Sequence, residues 1–280
     1  MSDTAQRGLG AILSLIDLRD YRAEVKSDVE YCFTDDMELP MPAVKNQGSV
    51  CSCVAHALAT VEEFFDHRET SSNRKMSTNY IYGNRRESAW KEEGMRIRDA
   101  IKTMMAYGDV PYTRLPGNDE VPTAIEKFEA AADELAPTGQ VNRIKRYFRL
   151  DSIDSIKACI VDYGPVVFSV EWFDDNYVKD GILHITGNAA KRNGYHCMVI
   201  YGWDKRGWKI QNSWGTRWGD SGRAILPFDA SIREAWGLED AANEIGDNWL
   251  DITHPFSSEL GKLVVKALNA VLNWLLRRNK

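Results

Sequence analysis

Apolar side chains fall at helical spacing in the first half of this chain and gather into strand-like runs in the second. Val54, Ala57, Leu58, Val61, Phe64 and Phe65 line one face of a helix running from Cys53 to Asp66. Ser52 stands just ahead of it, a residue type that starts helices, and this leaves Cys53 in the first turn. Ser77 to Arg86 predicts a second helix, and Ile97 to Tyr107 a third that Gly108 stops. Ala124 to Leu135 predicts a more polar one. Ahead of these, the first sixteen residues predict a short helix and Ile16 to Asp20 the beginning of a strand, followed by an acidic stretch from Glu24 to Glu38.

The period changes in the second half. Val141 to Leu150 alternates as a strand does, and Ile153 to Tyr163 predicts a short helix. Pro165 to Trp172 is rich in β-branched residues and predicts a strand. Cys197 to Trp203 and Gly207 to Asn212 predict neighbouring strands around a turn at Asp204, Lys205 and Arg206, with Arg223 to Leu226 as another. Helices first and strands second indicate an α+β fold of two lobes. A last stripe, from Leu260 through Leu268 to Leu276, predicts an amphipathic C-terminal helix over about 258–278. From Ser258 onward it carries one acid and five bases. It is expected to pack on the body, to lie on an anionic membrane surface, or to meet a protein partner.

Composition narrows the function. The 280 residues are 44% hydrophobic, enough for a real core, and the net charge of −6 argues against a nucleic-acid partner. No run of 18 apolar residues exists. Ala11 to Ile16 is too short for a signal-peptide core and soon meets Asp17 and Asp20. The five cysteines, Cys32, Cys51, Cys53, Cys159 and Cys197, are odd in number and have no metal-ligand spacing. They read as thiols of a reducing compartment. The expectation is a cytoplasmic protein, or one exported without a cleaved leader, with no metal, no cofactor and no obligate oligomer.

The chemistry lies in three segments: Gln47-Gly48-Ser49-Val50-Cys51-Ser52-Cys53, Gly194-Tyr195-His196-Cys197 and Gln211-Asn212-Ser213-Trp214-Gly215. A thiol becomes a strong nucleophile only as the thiolate. The start of a helix and an adjacent imidazolium both favour that form, so Cys53 is expected to carry a depressed pKa beside His196. His196 would serve as general acid and base. Asn212 would hold its ring through the other nitrogen, and Gln47 with the Cys53 N–H would face the oxyanion.

These residues resemble the papain-like cysteine peptidases, over about Ile16 to Asp240. Cys53 precedes His196 by 143 residues, within the spacing of about 130–150 known for that family. Val44 to Ser49 is similar to the family's segment with the oxyanion glutamine. Asn212 to Gly222 is similar to its asparagine motif, which implies that Trp214 shields the Asn–His bond. The style is that of intracellular or bacterial members. The resemblance implies a two-lobe peptidase domain over 17–240, with an acidic insert at about 24–39, an N-terminal extension over 1–16 and a C-terminal extension over 241–280. It also implies peptide or protein substrates, with Gly94, Met95, Tyr195 and Trp214 as cleft residues. Val50, Cys51 and Val54 depart from the family's nucleophile motif, and Met95 replaces the second glycine of its substrate-binding pair. The stretch ahead of Asp17 is too short for the usual inhibitory propeptide, so inhibition is expected from the N-terminus, the acidic insert, the tail or another protein. Two rival readings are a catalytically silent binding protein with a blocked cleft and an amide transferase or isopeptidase on the same scaffold. His56 is expected to be a packed or surface residue. Trp203, Trp208, Trp214 and Trp218 are expected in the sheet core and on the cleft rim.

Overall fold

The computed structural model describes residues 7–17, 20, 33–87, 93–116, 134–139 and 142–241. The predicted C-terminal helix and nearly all of Ala124 to Leu135 lie outside them.

Among the described residues, the first lobe is built on α1 (Cys53–Thr70), α2 (Thr78–Gly83) and α3 (Ile97–Tyr107). The second holds α4 (Ile153–Asp162) and the long strands β4 (Ile144–Arg149), β5 (Val166–Phe173), β8 (Arg192–Asp204), β9 (Gly207–Gln211), β10 (Arg223–Leu226) and β11 (Ile232–Asp240). Short strands β1 (Ala11–Ile12), β2 (Met37–Glu38), β3 (Met95–Arg96), β6 (Tyr177–Lys179) and β7 (Ile182–His184) complete the sheet. Its order is β4-β11-β5-β8-β9-β10-β7-β6, with β2 on β8, and β1 joining β3 to β8. The architecture is two-lobed α+β, as the switch in period indicates.

The central strands read as unbroken apolar runs because both their faces are covered. In β8, Cys197 and Val199 face the helical cluster of α1, whereas Met198 and Ile200 face the cluster that holds Trp203, Trp208 and α4. In β5, Val167 belongs to the first cluster and Val166, Phe168 and Val170 to the second. α1 is buried on every side from Cys53 to Asp66. The apolar stripe therefore understates its burial, since Glu62, Glu63 and Asp66 are inside as well. Glu63 is matched by an ion pair with Lys45 and accepts the Met76 N–H at 2.7 Å. A buried charge is tolerable only when so compensated.

Two predictions for the amino terminus fail in the described residues: the helix over the first sixteen and the strand expected to begin at Ile16. The first sixteen residues are expected to form a helix, but residues 7–17 contain the strand β1 and no helix. Gly8 and Gly10 weaken a helix, and Ala11 and Ile12 find strand partners on both sides, Met95 and Arg96 in parallel and Tyr195 antiparallel. Beyond β1 the chain is irregular through Asp17. There Arg98 contacts Asp17 at 3.8 Å and Asp20 at 2.9 Å.

Candidate active site

Cys53 opens α1 with its side chain fully buried. Ser52 occupies the N-cap position without capping through its side chain. Its hydroxyl lies instead 3.2 Å from Nδ1 of His56, the packed histidine one turn on. The backbone N–H groups of Cys197, Val54 and Ala11 face the Cys53 sulfur. Cys197 follows His196 on β8, so the packing of α1 on β8 brings the thiol beside the residue next to the imidazole.

His196 is fully buried and pairs across the sheet with Val170. Nε2 donates to Oδ1 of Asn212 at 2.7 Å. That oxygen also accepts the Ser213 N–H at 2.7 Å, which sets the orientation of the amide. Nδ1 is buried and makes no hydrogen bond, leaving it as the basic nitrogen of the neutral ring. Trp214 stacks on the ring at 4.2 Å and 21°, and Trp172 meets it edge-on at 5.3 Å. The indoles close off the His–Asn bond from water, which strengthens it.

Gln47 is brought to the same place by the loop that carries it. Its N–H donates to the Ser213 carbonyl at 2.8 Å, and the Gly215 N–H donates to the Lys45 carbonyl at 2.9 Å. The Gln47 side chain is fully buried. Oε1 accepts from the Ser213 hydroxyl at 2.5 Å, and Nε2 donates to the Val50 carbonyl at 2.8 Å and the Gly8 carbonyl at 3.0 Å. Ser213 is a contributor that the sequence reading did not single out. Its signal was adjacency to Asn212.

The electrostatics differ from the expected ion pair. Burial pushes the Cys53 thiol up to about 12 and the His196 imidazole down to about 4. Desolvation outweighs the N–H groups around the sulfur and the Asn212 bond to the ring. In this state both groups are neutral. Residues 8–12 pack against the loop that carries Gln47, with the Gly8 carbonyl accepting the Gln47 side-chain N–H at 3.0 Å.

That segment runs between the lobes. The Gly8 N–H donates to the Gly48 carbonyl at 3.1 Å, and the Met95 N–H donates to the Gly10 carbonyl at 2.8 Å. Leu9 presents its N–H to the Cys51 thiol, which also meets Glu93 and is raised to about 11, chiefly by burial. Arg7 lies 5.1 Å over the Trp214 ring. β1 pairs with Met95 and with Tyr195, and a Cβ on Gly94 would stand 2.6 Å from the Gly10 carbonyl oxygen. The Met95 side chain is 4% exposed and packs in the helical cluster with Ala11 and Ile97. Trp203 and Trp208 are core residues, as their strand spacing indicates. Asp204 is taken up by Arg206 within its own turn.

Residues 34–231 match the model of the papain family cysteine proteases. An uncharacterized peptidase C1-like protein of Acanthamoeba polyphaga mimivirus is 26% identical over 231 residues, 73% of this chain and 72% of its own. Cathepsin L 2 of Paramecium tetraurelia is 25% identical over 205 residues, and the match spans 59% of that protein's length. Xylellain, a cysteine protease from Xylella fastidiosa, superposes with a TM-score of 0.73 at 26% identity, covering 84% of this chain and 96% of that one.

Proposed function

The chain belongs to the papain family of cysteine proteases, and from that premise we propose that it hydrolyses peptide bonds with Cys53 as nucleophile, His196 as general acid and base, Asn212 as orienting residue and Gln47 as oxyanion donor. The hydrogen bond from His196 Nε2 to Asn212 at 2.7 Å carries this reading. It assigns the proton to one ring nitrogen and leaves Nδ1, buried and unbonded, with its lone pair to act as the base.

In the uncovered site, Nδ1 takes the thiol proton as the sulfur attacks the substrate carbonyl carbon. The new C–S bond pushes charge onto the carbonyl oxygen, where the Gln47 Nε2–H and the Cys53 N–H donate. Collapse of this intermediate breaks the C–N bond, and the imidazolium protonates the departing amine. Water, deprotonated by Nδ1, then attacks the thioester. The C–S bond breaks, the acid leaves and the thiol regains its proton. A backbone-lined cleft between the lobes suits an extended peptide, and the chemistry needs neither a metal nor an organic cofactor.

The test is the full-length protein with a fluorogenic peptide and a thiol-directed epoxide. Labelling at Cys53 and peptide hydrolysis should both vanish in Cys53→Ala. Labelling that survives this substitution, or hydrolysis that does, sinks the assignment.

A further inference from the structure

A cavity of about 510 Å³ is lined by residues 40–46, the stretch that leads into Gln47, together with Glu63 and His67 of α1 and Asn73, Arg74 and Lys75. Small-molecule sites have volumes of roughly 300–1,000 Å³. None of Gln47, Cys53, His196 or Asn212 lines this cavity. We propose that it binds a small organic anion with an apolar ring body, at a site that stands apart from the peptidase reading.

The wall from residue 40 to residue 46 is preformed. Just ahead of it, the Leu39 N–H donates to the Tyr201 carbonyl on β8 at 2.9 Å. Within it, the Pro42 carbonyl accepts from Nε2 of Gln211 on β9 at 3.2 Å, and the Lys45 carbonyl accepts the Gly215 N–H at 2.9 Å. Asn46 pairs with Trp214 as an isolated bridge. A ligand therefore meets a wall that needs no ordering on binding, which removes part of the cost of association. Pro40, Met41, Pro42, Ala43 and Val44 make this wall apolar. It suits the face of a ring, and a bare inorganic anion would leave it unused.

The polar residues set the sign of the ligand. Lys45 and Glu63 cancel one another in their ion pair and show almost no surface, at 3% and 7%. Arg74 pairs with Asp66, but the two are unequally exposed. The arginine side chain lines the cavity and is 27% exposed, whereas the carboxylate is 5% exposed and is not part of the lining. The pair thus turns its cation toward the cavity. Lys75 adds a second, exposed cation, with Nζ 4.1 Å from the centre of the Tyr112 ring. Its backbone is fixed, because the Lys75 carbonyl accepts the Tyr112 N–H at 2.8 Å. Guanidinium and ammonium groups hold a carboxylate or sulfonate through charge-assisted hydrogen bonds. An arginine already oriented by Asp66 gives up less freedom in making them.

The experiment titrates the full-length protein with anilinonaphthalene sulfonate and, in parallel, with N-phenylnaphthylamine, the same ring system without the sulfonate. Fluorescence is read on wild type, Lys75→Glu and Ala43→Trp, each first shown by circular dichroism to melt cooperatively. Wild type should bind the sulfonate saturably, at one site per chain. Lys75→Glu should weaken the sulfonate by about tenfold or more and leave the neutral probe unchanged, because only the charged group is repelled. Ala43→Trp fills the cavity and should weaken both probes. No saturable sulfonate binding to wild type, or an affinity that is the same in all three proteins, overturns the site. Equal weakening of both probes by Lys75→Glu overturns the assignment of an anion. Peptide hydrolysis enters none of these readings, so the site and the peptidase reading stand or fall separately.

Discussion

The Ser213 hydroxyl donates to Oε1 of Gln47 at 2.5 Å, joining residues 166 positions apart in the chain. This bond commits the oxygen end of the amide, so its NH2 end faces the cleft, where the Gly8 carbonyl now sits. Ser213 also bonds the Gln47 N–H and, through its own N–H, the Asn212 side chain. One residue thus positions both the proposed oxyanion donor Gln47 and the Asn212 amide bonded to the imidazole.

Gln47→Ala is expected to lower kcat/KM by about 10²–10³, the usual loss for one oxyanion donor. Alkylation of Cys53 should change little, because alkylation builds no oxyanion. Ser213→Ala should cost less, about 0.5–1.5 kcal/mol for one hydrogen bond. Parallel hydrolysis and iodoacetamide assays check this. Equal losses in both assays would mean that Gln47 merely braces the loop.

The reactivity of Cys53 should depend on pH in two different ways. In wild type the thiol titrates near 12, so alkylation climbs only in alkaline buffer, above the ordinary cysteine range. In Gly10→Ala, whose added Cβ would stand 2.1 Å from the Cys51 carbonyl oxygen, the segment cannot sit as it does here, and reaction is expected at lower pH. Rate profiles from pH 5 to 10 separate the two. Superimposable profiles would contradict the role given to burial under residues 8–12.

His196 also ties stability to acidity. Its pKa is about 4 in the folded protein against an ordinary value of 6.5. The folded state therefore binds fewer protons across that interval, and the contribution of this residue is fully present above pH 6.5 and is lost as the pH falls through 4. The loss is about 3 kcal/mol, taking 1.36 kcal/mol per unit. Urea titrations of wild type and His196→Gln should diverge across this window. A difference that does not vary with pH would exclude it.

Lys45 and Glu63 form a buried ion pair two residues ahead of Gln47 in the chain. Lys45→Met leaves a carboxylate without its cation and is expected to cost about 3–5 kcal/mol. Lys45→Met with Glu63→Gln should recover much of this, since no charge is then stranded. A double-mutant cycle by urea unfolding measures the recovery, and full additivity would show that the pair is not coupled.

Glu62 behaves in the opposite sense to His196. Burial and the nearby carboxylates of Asp240, Asp109, Glu69 and Asp66 raise its pKa, so its contribution is present in acid and is lost as the pH rises. Glu62→Gln should then raise the melting temperature at pH 8 by a few degrees and have no effect at pH 4. A gain of the same size at both values would point to packing instead.

The helix from Ile97 to Tyr107 and the strand from Arg223 to Leu226 were legible to the residue, because their apolar spacing and stop signals are local. The hairpin β6–β7 was not, since short, half-exposed strands leave little periodic trace. Strand β11 also escaped notice. Its burial comes from partners on both sides, β4 and β5, that lie far away in the sequence.

Residue types and their order determined the family, the two-lobe class and the choice of Cys53, His196, Asn212 and Gln47 as candidates, because each needs a particular functional group in a particular local motif. Only the tertiary structure decided what fills the cleft and how the site is charged. Gly8 and Gly10 carry no chemistry of their own, and their meaning appears only where backbone meets backbone at Val50 and Cys51. Proton affinity likewise depends on how much water surrounds a group, and water is excluded by segments that folding brings together from opposite ends of the chain.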